Sequence, residues 1–89
     1  MIFKIEYKSS VSRDLKHLDK SVARRLIRDL ETALSSNPHC GESLSGQFKG
    51  MFKLRIGDYR VIYSKTKEGF LILRIRHRSA AYEGLRGLQ

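Results

Sequence analysis

The chain has 89 residues, 40% hydrophobic and 30% charged, which fits a single domain over 1–89 and excludes a disordered chain. No apolar run is long enough to span a bilayer and no basic-then-apolar leader opens the sequence, so a cytoplasmic protein with no membrane partner is expected. Eighteen Lys and Arg against nine Asp and Glu give a net charge of +9, with eight basic and six acidic residues in 1–44 but ten and three in 45–89; such a basic half suits a polyanion, or an acidic protein covering the same surface.

Ile2 to Lys8 alternates, with Phe3, Ile5 and Tyr7 on one side and Lys4, Glu6 and Lys8 on the other, which predicts a half-buried strand. Ser10 is placed to cap a short helix in which Val11, Leu15 and Leu18 share a face, and Asp19 to cap a longer one. In the longer helix Val22, Leu26, Ile27, Leu30, Ala33 and Leu34 follow helical spacing, while Arg24, Arg25, Arg28 and Glu31 lie mostly outside that stripe. The two form an αα-hairpin whose apolar faces need a sheet to cover.

The run from Ser35 to Gly41, with the chain's one proline at Pro38, separates this helical half from a strand half. It contains Cys40, the single cysteine, which excludes an internal disulfide and most zinc sites; with its neighbour His39 it reads as a loop pair. Met51 to Ile56 alternates, Gly57-Asp58 signals a hairpin turn, and Tyr59 to Lys65 is the return strand. A second turn, Thr66 to Gly69, leads to a last long strand from Phe70 to Arg76. Ser79 to Leu88 has room for one or two helical turns, weakened by Gly84 and Gly87. The fold class is therefore α+β: an N-terminal strand, an αα-hairpin and a three-stranded antiparallel meander, forming one sheet with helices on one face.

Strand periodicity sorts the side chains of that sheet. Phe52, Leu54 and Ile56 point one way, and Lys53 and Arg55 the other. In the last strand strict alternation puts Leu71, Leu73 and Ile75 on one side and Phe70, Ile72, Arg74 and Arg76 on the other. With Val61 and Tyr63 turned to the core, Arg60 joins the basic face. That face then collects Lys53, Arg55, Arg60, Arg74 and Arg76, with His77, Arg78 and Tyr82 just beyond. The acidic residues of this half, Asp58, Glu68 and Glu83, fall in turns or the tail, so no carboxylate is expected to neutralise the face. Like charges opposed across strands cost stability, which points to a function for them.

No paired-carboxylate site, ligand cluster or glycine-rich phosphate loop is present, and Asp14, Asp19 and Asp29 belong to the helices. What remains is Arg, Lys, Tyr and one nearby His. These suit RNA cleavage through its own 2′-OH, in which the substrate supplies the nucleophile and no cofactor or metal is called for. Cations stabilise the phosphoryl charge, and Tyr82 or His77 can move protons. DNA lacks the 2′-OH, so the chemistry is specific to RNA.

The segment Leu54-Arg55-Ile56-Gly57-Asp58-Tyr59-Arg60-Val61-Ile62-Tyr63, followed by Arg76-His77-Arg78-Ser79-Ala80-Ala81-Tyr82, resembles the RelE branch of the RelE/ParE toxin superfamily. Leu44-Ser45-Gly46 resembles the lead-in to that sheet, and the order of elements matches over nearly the whole chain. The resemblance implies an endoribonuclease that cleaves mRNA in the ribosomal A site and is held inactive by a cognate RelB-like antitoxin covering the basic face. It implies catalytic roles for Lys53, Arg60 and Arg78 on the phosphate and for Tyr82 in proton transfer. Arg55, Arg74, Arg76, His77 and Lys49 are expected to bind RNA. The family's second lysine, two residues before Lys53, is Met51 here, with Lys49 nearby; Arg76 and Arg78 both fit the family's arginine.

Two other functions share this pattern. A ParE-like toxin has the same fold and inhibits DNA gyrase by binding it; Arg60 and the segment from Arg78 to Tyr82 argue against it. A non-catalytic RNA- or ribosome-binding module would need stacking aromatics on the basic face, where the sequence offers only Phe70.

Overall fold

The computed structural model describes residues 3–78. In chain order these form β1 (Lys4–Tyr7), α1 (Ser9–Leu15), α2 (Lys20–Ser36), β2 (Glu42–Ser43), a 3₁₀ turn (Gly46–Phe48), β3 (Met51–Ile56), β4 (Tyr59–Lys65) and β5 (Gly69–His77). The strands make one sheet in the order β1-β5-β4-β3-β2. The α+β architecture and the β3-β4-β5 meander are as expected. The added two-residue edge strand β2 is too short to leave a periodic signal. The sheet is mixed, because β1 runs parallel to β5. Glycine permits that pairing: a Cβ on Gly69 would sit 2.1 Å from the Lys4 carbonyl oxygen. The expected tail helix, with Ser79 to Leu88, lies outside the described residues.

The core forms between one sheet face and the helices. Leu26, Leu30 and Leu34 recur every fourth residue of α2 and are 0–4% exposed; with Val11 of α1 they pack on Val61, Tyr63, Phe70, Ile72 and Ile75. Burying such a side chain contributes about 1.5–3 kcal/mol. The exposed Arg28–Asp29 ion pair on the same helix, at 3.6 Å, belongs to a class worth about 0–1 kcal/mol. The leucine stripe therefore holds α2 in place. Tyr63 is fully buried with its ring stacked on Phe52 and meeting Phe70 edge-on.

Neither expected helix cap is made. Asp19 stands at the N-cap of α2 without a side-chain cap bond, and Lys8 rather than Ser10 precedes α1. The Ser10 hydroxyl is used elsewhere, donating to the Leu73 carbonyl of β5 at 2.6 Å. β1 stops opposite Ile72, leaving the rest of that β5 edge open, and α1 closes it. Lys8 N–H donates to Ile72 O, Ser10 to Leu73 O, and Asp14 Oδ2 accepts from Ile75 N–H at 2.9 Å. The spacings match: four helical residues rise about 6 Å, and two strand residues about 6.6 Å.

The last strand departs from strict alternation. Ile62 pairs with Arg74 and Tyr63 with Ile72, so Leu73 is an extra residue in a bulge. Phe70 and Ile72 consequently face the helices, as does Ile75, while Leu73 joins Ile62 in a second apolar cluster. This corrects the expected facing of Phe70, Leu71, Ile72 and Leu73. The bulge puts the strand one residue out of phase at its middle, so that Arg74 and Arg76 still lie opposite Ile75.

Candidate functional site

The sheet face away from the core carries residues in rows set by strand register. Arg55, Arg60 and Arg76 are successive cross-strand neighbours on β3, β4 and β5. The next row is Lys53, Ile62 and Arg74. Beyond it Met51 packs with Ile62 and Leu73, flanked by Leu44 and Phe48. The outer face is therefore basic at the end near the β3–β4 turn and apolar at the other. Met51 fits that apolar end by packing. Phe70, the expected aromatic of this face, is 2% exposed in the core instead.

Local structure holds the basic end in place. Gly57 takes a left-handed φ of 59° in the turn, and its carbonyl accepts from Arg55 Nε at 3.2 Å. Arg78 N–H donates to Asp58 O at 2.8 Å, which brings Arg78 to the same turn as Arg55. Five expected site residues thus gather here: Lys53, Arg55, Arg60, Arg76 and Arg78. Lys53, Arg55 and Arg60 line a cleft of about 430 Å3 with Cys40, Glu42 and Leu54. His77 is turned away, its ring meeting Tyr59 edge-on on the helix side. Lys49 is exposed beyond Met51, at the opposite end of β3 from Arg55. Tyr82 lies outside the described residues.

Two carboxylates do meet this face, contrary to the expectation that none would. Glu42, on the neighbouring edge strand, lies 3.5 Å from Lys53 Nζ. Asp14 is the larger correction. Its side chain, 5% exposed, accepts from Arg74 Nε at 3.1 Å and from Arg74 Nη2 at 3.2 Å, and lies 3.7 Å from Arg76 Nε. A buried carboxylate needs such pairing to remain charged. The signal was present in the sequence: Asp14 falls three after Val11 and four before Leu18, on the apolar face of α1. Asp14, Glu42, Ser10, Arg13 and His17 were all missed as residues near the basic face.

The charge of the arginine row is not fully matched. Arg60 Nε and Arg76 Nε are both buried, and neither has a hydrogen-bond acceptor among the described residues. A buried donor left unsatisfied costs about 1–3 kcal/mol, and the two belong to directly opposed residues of like charge. An anion on this face would relieve both penalties. Among the described residues no group of three or more His, Cys, Asp or Glu is placed to hold a metal ion.

Comparison with known proteins identifies the family and the fold. A family model described as the ParE toxin of the type II toxin-antitoxin system parDE matches residues 5–82. Toxin RelE of Mycobacterium tuberculosis is 32% identical over 77 residues, 83% of this chain and 79% of that protein. The RelBE2 toxin–antitoxin complex of the same organism contains a chain that superposes with a TM-score of 0.76 at 28% identity, covering 86% of this chain and 92% of that one. A chain of the archaeal RelE–RelB complex from Pyrococcus horikoshii superposes with a TM-score of 0.64 at 26% identity, over 88% of this chain and 97% of that one.

Proposed function

Since the chain belongs to the ParE toxin family of type II toxin-antitoxin systems, we propose that it acts as an endoribonuclease toxin, cleaving mRNA in the ribosomal A site through the RNA 2′-OH. The observation that carries this reading is the Arg60–Arg76 pair, two adjacent guanidinium groups with buried Nε–H donors and no acceptor among the described residues. The RNA backbone supplies the missing charge and acceptors, the scissile phosphate to Arg60 and a flanking one to Arg76. Arg60 and Lys53 bind the oxygens of the scissile phosphate, Arg78 stabilises charge from the turn side, and Tyr82 moves a proton. Arg55, Arg74 and Arg76 bind the strand on either side; Lys49 and His77 contribute at most from the periphery. Electrostatic stabilisation of this kind typically accounts for about 10²–10³-fold in rate per donor.

The partner that restrains it is a RelB-like antitoxin covering the basic face with an acidic segment that folds on binding. The relatives from M. tuberculosis and P. horikoshii are toxin–antitoxin complexes, which supports that assignment. Coexpression with the neighbouring reading frame is expected to abolish toxicity and yield a copurifying chain.

Inhibition of DNA gyrase is the second reading, favoured by the ParE name of the matching model and by Met51 where the RelE pattern has lysine. Induced expression of the wild type and of an Arg78→Ala/Tyr82→Phe variant, with mRNA ends mapped by primer extension, separates the two. Growth arrest with new ends inside translated codons, lost in the variant, is the expected result. Arrest with intact mRNA would replace the nuclease reading with the gyrase one.

A further inference from the structure

The basic surface continues past β5. Where β1 ends, α1 and the turn after it bring Arg13 and His17 alongside Arg76, and together with Ser10, Asp14 and Arg74 they line a cleft of about 280 Å3. Arg13 and His17 are exposed and make no side-chain hydrogen bond or ion pair among the described residues. Asp14 at the floor divides its charge between Arg74, the Ile75 N–H and, at 3.7 Å, Arg76 Nε. Three arginines against this one aspartate leave the lining at +2 with histidine neutral. Arg76 belongs both to this cleft and to the row Arg55–Arg60–Arg76, so the two basic regions are continuous.

The geometry points to a second phosphate subsite in this cleft: Arg13, His17 and Arg76 hold an RNA phosphate flanking the scissile one. This inference rests on the nuclease reading above. Every lining residue is polar or charged, and an amphipathic helix docks by apolar anchors in a hydrophobic groove, so the lining favours a nucleic-acid backbone over such a helix. Asp14 acts here as a positioning residue. By holding Arg74 and the β5 backbone it fixes the wall from which Arg76 projects.

The test uses the intact protein and a fluorescent hexaribonucleotide, 2′-O-methylated to block cleavage, titrated at several salt concentrations. For Arg13→Ala/His17→Ala the dissociation constant is expected to rise about tenfold, the usual worth of one charge-assisted hydrogen bond. The slope of log K on log salt should fall by about 0.7, the value for one phosphate contact on a single strand. Arg13→Glu, at an exposed helix position, should weaken binding further at an unchanged thermal midpoint, which separates loss of binding from loss of fold. Affinity and slope equal to wild type in both variants would overturn the subsite. So would variants that lose affinity for an acidic antitoxin segment while binding RNA as before. A wild type that binds the hexanucleotide with the fuller slope, weakened as described in the variants, yet never cuts mRNA would remove the nuclease reading and leave the subsite standing.

Discussion

Asp14 on α1 and Arg74 on β5, 60 positions apart, meet in a two-point contact of 3.1 and 3.2 Å. The same carboxylate accepts the Ile75 N–H at 2.9 Å, so it joins helix to strand through both side chain and backbone. Removing one member of a buried ion pair costs about 3–5 kcal/mol. Asp14→Ala is expected to lose stability in that range, read from the urea midpoint. Asp14→Asn keeps an oxygen for the Ile75 N–H and should lose roughly half as much. Equal losses in the two variants would mean that the backbone bond contributes nothing.

Arg60 faces Arg55 on one side and Arg76 on the other. Arg60→Ala removes both opposed pairs, each of the kind that costs a few tenths to about 1 kcal/mol. RNA cleavage is expected to fall about 10²–10³-fold while the thermal midpoint stays level or rises. A fall in both together would mark Arg60 as a residue of the fold instead. Sites that carry function at the expense of stability show the first pattern.

The Tyr7 hydroxyl donates to Glu31 of α2. Burial, that hydrogen bond and the Glu31 charge, in that order, push its pKa well above the ordinary tyrosine value of 10.0. Burial pushes Tyr63 the same way, with negative charge at the Cys40 side chain adding to it and the Gly41 backbone opposing. A raised folded-state pKa stabilises fully below the unfolded value, and the effect is lost as pH rises through the folded one. Stability measured by urea unfolding should therefore decline above about pH 10, and Tyr7→Phe should decline less steeply. Parallel curves for the two proteins would refute the assignment to Tyr7.

Gly69 sits under the β1 backbone, where an added Cβ would meet Lys4 oxygen at 2.1 Å and Lys4 nitrogen at 2.8 Å. Backbone atoms cannot rotate aside as a side-chain tip can. Gly69→Ala is expected to cost about 1–3 kcal/mol, the range for overpacking. Amide exchange should show the loss first in Lys4–Tyr7. Protection unchanged there would mean that β1 slides to make room.

The helix α2 and the strand β3 were legible from their periods: leucines every fourth residue in α2, and Phe52, Leu54 and Ile56 alternating with Lys53 and Arg55 in β3. The same alternation put Lys53 and Arg55 on one face, whereas β4 runs Val61-Ile62-Tyr63 without a polar break, and Arg60 joined that face only by turning Val61 and Tyr63 to the core. The facing of Phe70, Leu71, Ile72 and Leu73 could not be read, because a bulge breaks the period of two without a glycine or proline to announce it. Asp14 went unread as a partner because its arginine lies far along the chain, and a long-range pair leaves no local pattern. β2 and the Glu42–Lys53 contact were missed because a strand of two residues has no periodicity to detect.

The extra residue at Leu73 acts as a spacer. Deleting it would return β5 to strict alternation and leave every arginine on the side it now occupies. The strand would nevertheless be shorter by about 3.3 Å between the end of β1 and Ile75, and the rungs offered to Ser10 and Asp14 would no longer match the pitch of α1. A deletion that leaves the sheet in order would still unhitch the helix. The chain thus uses one residue of surplus length to bring two unequal repeats, strand and helix, into mesh.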